Sequence, residues 1–299
     1  MLPSCTQRGT ARQWISLGWC AALLLVTSAC SIVVDPDRVQ CSTDGDCRKK
    51  GPGFARTVCL EEVCKTDPKW GCIGSVTWAT PPPTPSPARV TARLSLSNLL
   101  TKAVVAGVKA RVCGKLDPTC ASPIQSDILG DDDGVLTVEL DKFFDGYLEI
   151  GHPNMVPTMY FFNPPVSENR VVPYIPLVPP EAITAFGDQL RMMPRLDRGT
   201  VIGLSYDCRN ETAEGVELFS DMSDEFTAPF YMSAGFPSLE ATKTDASGQA
   251  GIANVVEGPR QISGRLASTG EVFGTVTVQS RPIQITYTSM LPTPIAAPK

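Results

Sequence analysis

Eleven cysteines and a single histidine are the residues of this 299-residue chain with the most chemistry to offer. A thiol can take a lipid, pair with another thiol or hold a metal, and its compartment and spacing decide which. Three cysteines, Cys5, Cys20 and Cys30, lie near the N-terminus. Five, Cys41, Cys47, Cys59, Cys64 and Cys72, follow in one short run, and Cys113, Cys120 and Cys208 are spread further along. His152 stands between Gly151 and Pro153 in an expected loop. A Ser-His-Asp triad would have to be built on it, and no Gly-x-Ser-x-Gly elbow accompanies it. No Walker or Rossmann glycine pattern is present, and one histidine is a thin basis for a transition-metal site. The chain is therefore expected not to be an enzyme, with no catalytic residue, no metal and no cofactor. A hydrolase working with Asp and Glu alone is compatible with the composition and stands as the remote alternative.

The N-terminus carries the signs of export. Arg8 and Arg12 precede an apolar run at 14–26, and the small residues Thr27, Ser28 and Ala29 lead directly to Cys30. The stretch "VTSAC" resembles the bacterial lipobox, although Thr27 replaces the usual aliphatic residue. The resemblance implies a signal peptide over 1–29, cleavage before Cys30, and acyl chains such as palmitate on its thiol and new amine. Several acyl chains hold a protein stably on a membrane, which one does not. Ser31 rather than Asp follows the cysteine. By similarity to enteric lipoproteins this implies the outer membrane within the cell envelope. Ordinary cleavage after the small residues, or an uncut span over the charge-free residues 14–34, are the rival readings.

With Cys5 and Cys20 removed and Cys30 lipidated, eight cysteines remain, an even number that reads as four disulfides in an oxidising compartment. The segment 41–72 is too short to bury a core, so crosslinks must replace one. Its C-x5-C and C-x4-C spacings resemble the small Cys-rich modules that follow the anchors of many secreted bacterial proteins. Interleaved pairing, Cys41 with Cys59 and Cys47 with Cys64, is expected among the three connectivities that four cysteines allow. Zinc is the alternative for these thiols, but it favours closer pairs such as C-x2-C in a reducing setting. Cys113 and Cys120 flank "GKLDPT", whose Asp-Pro suits a turn, and are expected to close a hairpin. Cys72 and Cys208 are left to pair by elimination.

The full chain is 42% hydrophobic and rich in Pro and Gly, and its net charge of −5 without a basic patch argues against nucleic acid. "TPPPTPSP" at 80–87 is an extended connector. Beyond it, short alternating runs such as "VTARLSLSNL" and "GTVTVQSRPIQITYT", punctuated by Gly, Asp and Pro, predict antiparallel sheets. Their order repeats: a strand, a Gly-Val strand, an Asp-x-x-Gly, an apolar run and a Gly-containing strand. The two Asp-x-x-Gly copies are "DDDG", with Asp131 and Gly134, and "DASG", with Asp245 and Gly248. In each, the acid can accept from backbone N–H groups while the glycine supplies positive φ. A calcium loop is the competing reading, but such loops place acids at alternate positions with a Glu further on. A structural turn is the expectation.

"GVKARV…GDDDGVLTV" and "GVELF…TDASGQAGI" resemble the carboxypeptidase regulatory-like, transthyretin-like family, a seven-strand β-sandwich. The resemblance covers about 88–172 and 200–290. It implies a fold and no reaction, since the enzymes that share such domains need histidines this chain lacks. The expected order is thus a signal at 1–29, an anchor and linker at 30–40, a disulfide-rich module at 41–72 and a Pro-rich linker at 73–87. A first sandwich at 88–172, an inter-domain segment at 173–199 with a short helix after Pro180, a second sandwich at 200–290 and a tail at 291–299 complete it. Tyr160, Phe161 and Phe162 are expected in a core or domain interface, with an aromatic ligand shelf as the alternative. The functional expectation is a membrane-anchored, non-enzymatic envelope lipoprotein whose paired sandwiches bind or scaffold a protein or glycan. An accessory or carrier subunit of an envelope enzyme or secretion complex is the alternative. Deleting the second sandwich from about Thr200 is expected to impair partner capture while leaving membrane anchoring intact.

Overall fold

The computed structural model describes residues 39–79, 88–233 and 236–294; the expected signal peptide, Cys30 and the proline run at 80–87 lie outside them. The described chain begins in the Cys-rich module, where helix α1 (Asp44–Arg48) starts from a reciprocal cap between Thr43 and Asp46. A hairpin of β1 (Thr57–Leu60) and β2 (Val63–Thr66) follows. Its turn residues Glu61 and Glu62 both have positive φ, the handedness that a tight two-residue hairpin needs.

Strand alternation in the next segment does what the pattern predicts. Along β3 (Arg89–Asn98) the side chains at 90, 92, 94 and 96 are buried while their neighbours reach towards water. With β4 (Lys109–Gly114), β5 (Gln125–Leu129), β6 (Val135–Asp141), β7 (Gly146–Gly151), β8 (Thr158–Phe161) and β9 (Arg170–Leu177), it forms the first sandwich. One sheet has the order β6-β3-β9, and the facing strands run β5-β4-β7-β8. Leu94, Leu136, Val138, Val112 and Leu148 fill the space between them. Helix α2 (Pro180–Gln189), with Pro180 at its first turn, then leads to the second half.

That half contains β10 (Arg198–Ser205), β11 (Val216–Ser220), β12 (Ala228–Ser233), β13 (Phe236–Ser238), β14 (Gln249–Val256), β15 (Gly258–Leu266), β16 (Val272–Ser280) and β17 (Ile285–Met290). Its pairings repeat those of the first. β3 pairs antiparallel with β6 and parallel with β9, as β10 does with β14 and β17. β4 pairs with β7 and β7 with β8, as β11 does with β15 and β15 with β16. The halves differ at the strand after the second: β5 pairs with β4, whereas β12 crosses to pair with β14. The duplication legible in the motifs is therefore also a duplication of topology.

The sandwiches are joined as well as linked. β17 lies parallel to β8, with Thr286 opposite Met159 and Tyr287 opposite Tyr160, so one nine-stranded sheet, β13-β12-β14-β10-β17-β8-β7-β4-β5, runs through both copies. All four residues of β8 are buried. Tyr160 and Phe162 belong to the first core, while Met159 and Phe161 join Val201, Ile252 and Ile262 in the second. This settles the aromatic run as core packing shared between the copies. Three pairings, β3·β9, β10·β17 and β17·β8, are parallel, a feature that alternation alone does not distinguish. Two expectations are corrected. β9 continues to Leu177, so the start of the expected inter-domain segment is a strand of the first sandwich. A cut near Thr200 would strip β17 from β8 and bare apolar side chains, so the second sandwich is not a removable appendage.

Candidate functional site

The two Asp-x-x-Gly segments share a turn whose acid accepts the N–H two residues on and whose glycine has positive φ, though their other hydrogen bonds differ. Asp131 Oδ1 accepts from the N–H of Asp133 at 3.1 Å and of Val135 at 2.7 Å. Asp245 Oδ1 accepts from the N–H of Ser247 at 2.9 Å and from its hydroxyl at 2.5 Å. Gly134 and Gly248 follow at φ +70° and +68°. A Cβ on Gly134 would sit 2.8 Å from the carbonyl oxygen of Leu96, and one on Gly248 2.6 Å from that of Ser205. The close approach lets each glycine carbonyl accept from the neighbouring strand, Leu96 N–H at 2.8 Å and Ser205 N–H at 2.9 Å. Each motif thus ties the start of β6 or β14 to the end of β3 or β10. Asp245→Ala is expected to lower stability by about 0.5–2 kcal/mol, the range for loss of a capping side chain, as read by urea denaturation. Millimolar calcium is expected to leave Tm unchanged, since a ligand stabilises only by binding the native state. A calcium-dependent rise in Tm that disappears in Asp245→Ala would make the turn a metal site.

Four disulfides, Cys41–Cys59, Cys47–Cys64, Cys72–Cys208 and Cys113–Cys120, hold the described chain. Their Cα separations of 5.3–5.8 Å sit within the usual range. Among the described residues, the groupings of potential metal ligands are Cys41 with Cys47 and Cys64, and Cys113 with Cys120 and Glu149. Every sulfur in them is oxidised into a disulfide, and metal ligation needs the thiolate. His152 serves its own turn, its Nδ1 accepting the N–H of Asn154 at 3.2 Å. No helix among the described residues is long and apolar enough to cross a membrane.

A charged cluster sits beside the seam, and no sequence motif pointed to it. Glu149 on β7 is paired with Arg111 on β4 and with Arg281 in the turn between β16 and β17. Arg281 also donates to the Tyr147 hydroxyl at 2.8 Å and to the carbonyl of Pro118 at 2.9 Å. Tyr147 in turn donates to the carbonyl of Asp117 at 2.5 Å, and burial pushes its hydroxyl above the ordinary tyrosine value. This network clamps the second copy onto the disulfide-closed loop of the first. Beside it lies a depression of about 290 Å³ whose lining mixes the polar side chains of Lys109, Arg111, Asp127, Glu149 and Gln284 with apolar surface from residues such as Ile150 and Pro157. The polar members offer a few donors and acceptors at its rim, without a nucleophile set against a base.

A second unforeseen cluster lies on the connection to β12. Arg198 donates to Asp224 at 2.8 Å, and Thr227 adds its hydroxyl and N–H to the same carboxylate at 2.9 and 3.1 Å. The hydrogen bond from Arg198 is the main reason the Asp224 carboxyl falls to about 2. Its folded value lies below the ordinary 3.8, so the folded state is favoured above that value and the advantage fades as pH falls towards 2. Carbon-detected NMR titration is expected to find the Asp224 midpoint near 2, and Arg198→Ala to return it towards 3.8. An unchanged midpoint in that variant would remove the arginine from the explanation.

No protein-family model matches the chain, and no curated protein matches it. Among solved structures, similarity extends to the TIE protein of Bacillus anthracis at 8% identity and TM-score 0.25, covering 69% of this chain and 34% of that one. The shaft pilin SpaA of Lactobacillus rhamnosus GG matches at 10% identity and TM-score 0.23, covering 70% of this chain and 100% of that one. BcpA, the major pilin subunit of Bacillus cereus, matches at 8% identity and TM-score 0.25, covering 69% and 100%. The class of protein is defined by the chain's own fold, a mainly β double sandwich preceded by a disulfide-rich module.

Proposed function

We propose that the chain is a membrane-anchored, non-enzymatic lipoprotein of the cell envelope, whose joined sandwiches form a rigid binding or scaffolding body for a protein or glycan. The observation that supports this most directly is the nine-stranded sheet shared by both copies. It fixes the relation of the copies through a backbone ladder, where a flexible linker would leave the loops at their ends free to vary. Rigid presentation of loops is how such scaffolds carry recognition. The four disulfides fit an oxidising compartment, and Cys30 after "VTSA" supplies the attachment.

The proposal is tested on the full chain in intact bacterial cells. Mass spectrometry is expected to find an acylated N-terminus at Cys30, and Cys30→Ala to abolish both acylation and membrane recovery. Proximity labelling from the full chain is expected to mark envelope proteins. An unmodified Cys30 in membrane-free material would refute the anchor. Turnover of a peptide, ester or glycan by the purified protein, lost on one Asp, Glu or His substitution, would refute the non-enzymatic reading.

A further inference from the structure

Helix α2 crosses the outer face of the second sandwich, opposite the side that carries its main core. β14 presents Gly251 and Ala253 to this face, and β12 lays Phe230 across Gly251 so closely that no side chain fits there. From above, α2 contributes Ile183 and Phe186, both only half-buried. The fully buried packing between helix and sheet comes down to Leu190, Phe230 and Ala253. The helix is held instead at both ends, with Ala182 buried in the first core and Gly187 lying against the carbonyl of Met192 and the ring of Pro194 in the segment that follows. Small residues of β14 below and a helix held at its two ends leave a partly enclosed cavity of about 110 Å³.

Its walls come from the first copy, from α2 and from the second copy, and they are predominantly aliphatic and aromatic, with Ile202, Phe230 and Ile285 among them. Two polar groups nearby are already engaged. The Tyr287 hydroxyl donates to the carbonyl of Pro176 at 2.7 Å. The Asn254 amide donates to the carbonyls of Met193 and Phe226 at 3.2 Å and accepts from Arg195 N–H at 3.0 Å. Thr200 and Gln249 are the other polar side chains of a wall that is otherwise apolar. An ordered water needs two to four polar partners, and a dry cavity of comparable size lined by Leu, Ile and Phe takes up benzene. A charged group would lose its hydration without compensation.

We propose that this cavity is a binding site for a small, uncharged, apolar molecule about the size of one aromatic ring, with α2 as its cover. The proposal stands whether or not the chain is lipidated.

Benzene is the probe, added to the purified protein with isotope-labelled isoleucine methyls. Saturable shifts are expected at the Ile183, Ile202 and Ile285 methyls, together with a Tm that rises with benzene concentration. Ala253→Leu fills the cavity from the sheet side and is expected to abolish both effects. Ile183→Phe fills it from the helix side and gives the same result should the first variant fail to fold. Shifts that do not saturate, or that persist unchanged in a folded filled variant, would overturn the proposal.

Discussion

Phe161→Ala is expected to lower the unfolding free energy by about 3–5 kcal/mol, the cost of removing a buried aromatic ring from a packed core. Phe161 is 2% exposed and stacks on Tyr147 with ring centroids 4.7 Å apart and an interplanar angle of 14°. It sits on β8 of the first copy yet belongs to the second copy's buried cluster. The loss should therefore reach both copies. Hydrogen exchange is expected to show lower protection in β3 of the first copy and in β10 of the second. Loss confined to one copy would mean that the shared sheet does not couple them. A cavity confined to one independent domain would leave the other at its own stability, because distant and unconnected sites add without interaction.

Replacing Cys72 and Cys208 together with serine is expected to cost about 2–5 kcal/mol, towards the upper end because the crosslink closes a long loop. The two cysteines are 136 residues apart, so the unfolded chain gains much freedom when the bond is absent. What remains between the Cys-rich module and the second copy is modest. Trp70 meets Phe273 at a centroid distance of 4.9 Å, and Arg56 pairs with Glu271 at 2.5 Å. Cys208 N–H donates to the carbonyl of Lys69 at 2.8 Å. The Arg56 pair is about one-third exposed on both sides, where ion pairs contribute little. Urea denaturation of the double variant should show an earlier midpoint, and full reduction should loosen the hairpin of β1 and β2 before the sandwiches. A midpoint equal to that of the parent protein would show that noncovalent contacts alone hold the module.

Several features of this protein follow from local chemistry and were readable before any fold was known. Alternation along "RVTARLSLSN" assigns one set of side chains to a core, because successive residues of a strand face opposite ways. The repeated Asp-x-x-Gly announces its turn, since the acid's hydrogen bonds and the glycine's positive φ involve only neighbours in sequence. The spacing around "GKLDPT" brings Cys113 close enough to pair with Cys120, a separation of 7 residues. Pro180 opens α2 because its missing N–H is one the first helical turn does not use.

The joint between the copies belongs to the tertiary structure. "TMYF" and "ITYTSM" are buried on both faces, so neither carries an alternation that would reveal its partner, and a parallel ladder between distant strands leaves no turn to mark it. Glu149 and Arg281 are separated by 132 residues, and an ion pair at that distance has no local spacing to signal it. The cavity beneath α2 likewise depends on Phe230 and Ala253 facing Ile183 and Phe186, residues brought together only when the helix folds back over the sheet. Short-range hydrogen bonds, backbone φ and strand period thus determined the pieces. Burial on both faces and contacts between distant segments decided that two sandwiches would share one sheet.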